Sequence, residues 1–264
     1  MTIEVSRYTS DDAHQWNDFV KTSKNGFFMF NRGFMEYHAD RFTDHSLMFF
    51  EGKKIIAILP ANEKEKTLHT HQGLTFGGFI TGRKMRTPLM LECFEALVAY
   101  AQKNEFEEII YKAIPHFYHQ QPAQEDIYAL FRHKAECFRV DVASTIDYSN
   151  KTFPFSSSRK AGLAKARKCQ LELAISDDFQ NFFESLNTLL GEKYSAEATH
   201  TAEEMALLKT RFPENIVLHT CHEGAELCAG VIMFLTPTVA HTQYITTSER
   251  GREIGALDWL LDEL

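Results

Sequence analysis

The sequence lacks any apolar run of about 18 residues, the length a helix needs to cross a bilayer, anywhere in its 264 positions. Its opening, "MTIEVSRYTSDD", has neither an apolar core nor a small-residue cleavage pattern, so no secretion signal is expected and the chain is read as cytoplasmic. The terminal "LDEL" is then a helix end, because a retention tag has no meaning without entry to the secretory route. Cysteine is sparse: Cys93, Cys137, Cys169, Cys221 and Cys228 are scattered and form no CxxC pair. That excludes a disulfide framework and implies reduced thiols. Positive charge is also in deficit, with 28 Lys+Arg against 36 Asp+Glu and a formal net charge of −8. Such a balance argues against life on bulk nucleic acid or an anionic membrane.

What is present is globular. The chain is 44% hydrophobic, 12% aromatic and 24% charged, with 22 phenylalanines, which is ample material for a core. Its length suggests two domains at roughly 100–150 residues each, placed at 1–150 and 151–264. In the first, "IEVSRY" reads as a strand, a helix carries Trp16, Phe19 and Val20, and another lies around Phe34 to Phe42. "SLMFFEGKKIIAIL" reads as a hairpin turning at Gly52, and Thr67 to Gln72 as the third strand of a meander. A helix from about Arg86, the strand "EEIIYKAIP", a helix "AQEDIYALFRHK" and a closing strand "ECFRVDVASTIDYS" follow. The second half opens on a serine-capped helix in "FPFSSSRKAGLAKARKC", then the strand "LELAIS" and two helices up to Phe212. Three strands with turns at Gly224 and Pro237 come next, and "EIGALDWLLDEL" closes with Ile254, Leu257, Leu260, Leu261 and Leu264 on one helical face.

Four stretches carry candidate chemistry. "HTHQGLTFGGFITG", residues 69–82, is open to three readings: a phosphate cradle, a metal site or a turn. His69 and His71 share one face of a strand, but nothing nearby completes a ligand set, and no metal is expected. The run Arg159, Lys160, Lys165, Arg167 and Lys168 has no acid within it. On a helix it meets an anionic group or is a solvated face. The strand "VAHTQYIT" puts His241, Gln243 and Ile245 on one face and Thr242, Tyr244 and Thr246 on the other. "SERGREIGA" places Gly251 and Gly255 where backbone can approach a phosphate at a helix start, with Arg250 and Arg252 beside it. No GxSxG or papain-like cysteine context occurs.

The element order resembles the GNAT acyltransferase fold, and two such units in one chain resemble the Fem-type peptidyltransferases and their acetyltransferase-like relatives. The resemblance rests on "HTHQGLTFGGFI", "RKAGLAKARK" and "ELCAGVIMFLTPTVAHTQYITTSERGREIGALDWLLDEL", and it covers most of the chain. It implies an α+β fold of two tandem GNAT-like units, the second stopping inside its loop helix. The far wall of that cleft would come from a longer parent protein or from a second chain, as in a homodimer. It implies acetyl-CoA, or another acyl-CoA, as donor, with the diphosphate on Gly251, Arg252, Gly255 and Ala256 and with Thr246 and Arg250 at its edge. The motif Arg/Gln-x-x-Gly-x-Gly/Ala started at Arg252 gives Gly255 but puts Leu257 where a small residue is expected. His241 or Glu249 is the expected base and Tyr244 the expected acid, His241 and Tyr244 not both from one side of the strand. The acceptor, a small-molecule or peptide amine, is expected against Gln243, Arg167 and a flexible wall of His71, Gln72, Gly73, Gly77 and Gly78. Two rivals stand beside this reading. One is a Fem-type transferase using aminoacyl-tRNA, although no long helical arm fits between Phe179 and Phe212. The other is a catalytically silent binding module on the same scaffold.

Overall fold

The structure, a computed structural model, describes residues 3–150 and 154–264. The chain divides into two compact units, Met1–Cys137 with Thr236–Val239, and Phe138–Leu235 with Ala240–Leu264. The boundary expected at 150/151 adjoins residues 151–153, which lie outside the described residues.

The first unit runs β1 (Ile3–Arg7), α1 (Ala13–Thr22), α2 (Arg32–Met35), β2 (Thr43–Asp44), β3 (Leu47–Glu51), β4 (Lys54–Leu59), β5 (Asn62–Lys64), β6 (Thr67–His69), β7 (Ile80–Thr81), α3 (Thr87–Lys103), β8 (Glu108–Ile110) and α4 (Glu125–Arg132). Its strands form two sheets, ordered β1-β3-β4-β7 and β2-β5-β6-β8. The second is mixed, since β6 and β8 run parallel. The expected meander is therefore not made. The chain leaves the first sheet at Pro60, which has no N–H to give a ladder, and β6 pairs with β5 and β8 while β7 takes the place beside β4. The helix expected around Phe34 to Phe42 is one turn of α2, capped by Asn31, continued by a 3-10 turn at Glu36–His38. Pro88 sits in the first turn of α3, where its missing N–H costs nothing. Phe49, Phe79, Met90, Cys93, Phe94 and Leu97 pack together into a core.

One polar group is buried in this unit as a lock. The Arg32 guanidinium pairs with Glu36 at 2.9 Å and Asp44 at 2.7 Å and lies 3.7 Å from the centre of the Tyr8 ring. Its charge is tolerated in the interior because every side of the fork meets an acceptor or a π-face.

The second unit runs α5 (Ser157–Ala166), β9 (Leu171–Ser176), α6 (Phe179–Tyr194), α7 (Ala202–Arg211), β10 (Ile216–Glu223), β11 (Glu226–Leu235), β12 (Ala240–Thr247), α8 (Glu249–Ile254) and α9 (Ala256–Glu263). The four strands make one antiparallel sheet ordered β12-β11-β10-β9. Side-chain caps start the helices: Ser156 for α5, the serine cap expected there, and also Asp178 for α6, a Thr201/Glu204 capping box for α7 and Ser248 for α8. Gly230 lets Phe182 of α6 lie flat on the sheet, since a Cβ there would fall 2.9 Å from the ring.

Two further expectations for elements fail, each for a physical reason. The last helix is two helices: Gly255 takes φ +76° and ends α8 before α9 begins. That left-handed step resets the helical phase, so Ile254, Ala256 and Leu260 are buried while Leu261 and Leu264 are exposed. The "closing strand" at residues 136–149 keeps its alternation from Phe138 to Tyr148 but pairs with no strand among the described residues, leaving Val140 79% and Val142 95% exposed. Period-2 patterning gives a strand its faces; a strand also needs a partner for its backbone.

Candidate functional site

The site is built on β12. Against β11 its register runs His241 opposite Phe234 and Thr242 opposite Met233, and then Tyr244 opposite Ile232. Gln243 is an extra residue, a β-bulge. Because a bulge shifts the alternation by one, His241 and Tyr244 share a face, where uninterrupted strand geometry assigned them to opposite ones. Thr246, opposite Gly230, lies on that face too, and α6 packs over it. The Tyr244 ring meets Phe183 edge-on at 5.5 Å, and Thr246 Oγ1 lies 2.9 Å from Ser185 Oγ.

Burial sets the chemistry of both candidate groups. Desolvation lowers the His241 pKa, with Gln243 acting in the opposite sense. Burial likewise raises the Tyr244 pKa, opposed by donors from the His200 backbone, Gln243 and Thr199. Among the described residues Gln243 Oε1 is buried with no hydrogen-bond partner; the Gln243 side chain still favours the imidazolium form of His241. The bulge therefore holds a neutral imidazole, an amide and a protonated phenol together. The phenol has a further neighbour that the sequence reading missed. His200 Nδ1 lies 2.7 Å from the Tyr244 hydroxyl, and the His200 backbone N–H donates to the same oxygen at 3.3 Å. Its one sequence signal is its position just before the capping-box threonine, which marks it as a fixed loop residue.

Glu249 opens α8 and is exposed. The segment expected to cradle a diphosphate is organised differently. Gly251 is inside the helix, and a Cβ on it would fall 1.8 Å from the Cys228 carbonyl oxygen, so its role is close packing of α8 on β11. Its N–H donates to Ser248 Oγ at 3.0 Å. Gly255 presses on α5, where a Cβ would lie 2.7 Å from the Gly162 carbonyl oxygen. Arg250 forks onto Glu223 at 2.7 and 3.0 Å, Ala256 and Thr246 are buried, and exposed Arg252 donates to the Thr247 carbonyl at 3.3 Å. These residues do not fit an open diphosphate cradle, because the glycines are spent on backbone packing and Arg250 already has its anion.

Arg167 is also engaged. It pairs with Asp262 at 3.0 Å, and Arg159 pairs with Asp258. The two acids stand one turn apart on α9, so the basic helix meets its anionic group within its own unit.

In the first unit the glycine stretch is a buried, laced loop and not a flexible wall. The Gly77 N–H donates to the Lys112 carbonyl at 2.9 Å, and the Phe79 N–H to the Tyr111 hydroxyl at 2.8 Å. A Cβ on Gly73 would strike His38, one on Gly77 the Thr70 carbonyl, and one on Gly78, at φ +82°, the Tyr111 ring. His71 is 2% exposed, stacked on His38 at 5.6 Å, and burial, reinforced by His38, pushes its pKa down to about 3. β6 ends at His69, so the two histidines do not share a strand face. Gln72 is exposed; its amide is held by Asn62 at 2.8 Å, and it lines a groove of about 590 Å³ with Arg41, Phe42, Thr43 and Lys64. Among the described residues no group of three or more His, Cys, Asp or Glu is placed to hold a metal. Burial raises the Cys93 and Cys221 thiols to about 12, the opposite of what a nucleophile needs.

No sequence family and no curated protein matches the chain. Its fold does match solved structures. FemX superposes with a TM-score of 0.62 at 9% identity, over 98% of this chain and 84% of that one. The C-terminal DUF2156 domain of a putative lysylphosphatidylglycerol synthetase from Agrobacterium fabrum superposes with a TM-score of 0.58 at 11% identity, over 96% and 73%. At such identities the likeness is one of fold: a mixed α+β, FemX-like and GNAT-related architecture.

Proposed function

We propose that the second unit is an acyl-transfer site at which an amine attacks an activated acyl group, with acetyl-CoA or another acyl-CoA as donor substrate. The acceptor is the amine of a small molecule, an amino sugar or a peptide precursor. One observation carries this reading: the bulge at Gln243 brings His241 and Tyr244, a base and an acid in this reading, to one face of an edge strand. His241, kept neutral by burial, takes the proton that the attacking nitrogen must lose, and Gln243 Oε1 stands beside the imidazolium so formed. Tyr244, kept protonated by burial, gives its proton to the leaving sulfur. The donor's diphosphate is not assigned to residues 251–256, for the packing reasons given above.

Isothermal titration with acetyl-CoA, coupled to thiol release over a panel of primary amines, tests the proposal. Binding in the micromolar range and amine-dependent release support it. No heat at high micromolar concentrations removes acyl-CoA as donor. His241→Ala and Tyr244→Phe variants that leave a detected activity unchanged would show that these residues do not carry it.

A second reading is favoured by the fold likeness to FemX and to the synthetase domain: an aminoacyl ester in place of the thioester. The same acid and base serve either leaving group. Against a tRNA carrier stands the pairing of Arg159 and Arg167 with Asp258 and Asp262.

A further inference from the structure

We infer that His200 is a positioning residue for Tyr244: it turns the phenolic hydrogen toward the reacting group and restores it after each transfer. The inference rests on the acyl-transfer reading for its chemistry but on independent geometry for the pairing. His200 reaches the phenol twice, with Nδ1 at 2.7 Å and with its main-chain N–H at 3.3 Å. The two rings meet nearly perpendicular, at 5.7 Å and 81°, so the imidazole edge is directed at the oxygen. The residue is fixed from behind, because Thr201 and Glu204 close a capping box immediately after it. On the strand side, the bulge and the contact with Phe183 fix the tyrosine.

With His200 as imidazolium, its Nδ1–H and its main-chain N–H both donate to the phenol oxygen, and the hydroxyl hydrogen must turn away from His200. As the carbon–sulfur bond breaks, the leaving thiolate takes that hydrogen. The phenolate takes the Nδ1 proton of the imidazolium, ending as neutral tyrosine beside neutral Nε2–H imidazole, which regains its proton from water. The amine's lost proton goes separately to His241. The groups that meet the phenol besides His200 are Gln243 on β12, Thr199 and the Phe183 ring of α6; the titratable His241 shares its face of β12.

Two measurements on the full chain test this. Long-range ¹H–¹⁵N spectra of histidine-labelled protein report the pairing without any catalysis: Tyr244→Phe should move the His200 ring nitrogens, and unmoved signals would overturn the inference. In thiol-release kinetics, His200→Asn keeps a polar atom near the place of Nδ1 but cannot titrate. We expect its kcat to fall about 10- to 100-fold, at the lower edge of general acid catalysis, with KM for acetyl-CoA within about twofold. The loss of activity as pH rises through the imidazole range should disappear with it. A wild-type pH profile in His200→Asn would sink the proton role, since a merely structural contact would be rescued by asparagine. Absence of all acyl transfer in the wild type would instead overturn the acyl-transfer reading, while the spectra still decide the pairing.

Discussion

At the scale of single residues, burial does most of the chemistry. His71 is the plainest case: its folded pKa of about 3 lies below the ordinary imidazole value of about 6.5. Between these values the unfolded chain binds a proton that the native chain refuses, so stability rises with pH across the window and levels off above it. Acidification from pH 6.5 toward 3 should therefore remove about 1.4 kcal/mol per pH unit from this group alone. Urea unfolding of His71→Gln against wild type should show that slope reduced; an unchanged slope would refute the assignment. Tyr244 offers a second residue-scale prediction. Tyr244→Phe removes the hydroxyl that His200 meets with its N–H and its ring in a half-buried place, at a cost of roughly 0.5–1.5 kcal/mol, measurable by the same unfolding. The residue types at the site were legible in the sequence, since "VAHTQYIT" supplied His241, Gln243 and Tyr244. Their grouping was not, because a one-residue bulge leaves no signature in composition or period.

At the scale of elements, the glycines separate packing from propensity. Gly251 and Gly255 sit where a Cβ would meet backbone, 1.8 Å from Cys228 and 2.7 Å from Gly162, and Gly255 has φ +76° in addition. Gly191, inside α6, has nothing within 4 Å of its missing Cβ. We expect Gly251→Ala and Gly255→Ala each to destabilise by roughly 1–3 kcal/mol through overpacking. Gly191→Ala should stabilise by about 0.5–1 kcal/mol through helix propensity. Thermal melts of the three variants check this, and a destabilised Gly191→Ala would show that the helix is held otherwise than described. The start of α5 was legible because Ser156 acts on its own next turn, and the β10–β12 meander because its turns and apolar runs are local. The alternating segment at residues 138–148 read equally well and yet pairs with no strand among the described residues. A strand is completed by something distant in sequence, whereas a helix start is completed within four residues.

At the scale of the whole molecule, charge and fold bear on what the chain handles. A net charge of −8, with two arginines of the basic helix already paired to α9, leaves little to neutralise a polyanion. Filter binding should accordingly retain no tRNA at micromolar protein and physiological salt. Tight retention with a steep loss as salt rises would reverse the order of the two donors proposed, since each phosphate contact contributes about one unit to that slope. Among the described residues no helix is long and apolar enough to cross a membrane. By itself the sequence determined the mixed α+β class, the serine-capped start of α5, the second meander and the presence of His241, Gln243 and Tyr244 on one strand. All of these depend on interactions within a few positions of the chain or on the period of its apolar residues. Only the tertiary structure decided that β6 leaves the first sheet, that the glycine stretch at 69–82 is a buried loop, and that Gly251 and Gly255 serve packing. It alone placed His241 and Tyr244 on one face and set His200 behind the phenol. These facts depend on register and on contact between segments far apart in sequence, where shifting a strand by one residue exchanges its two faces.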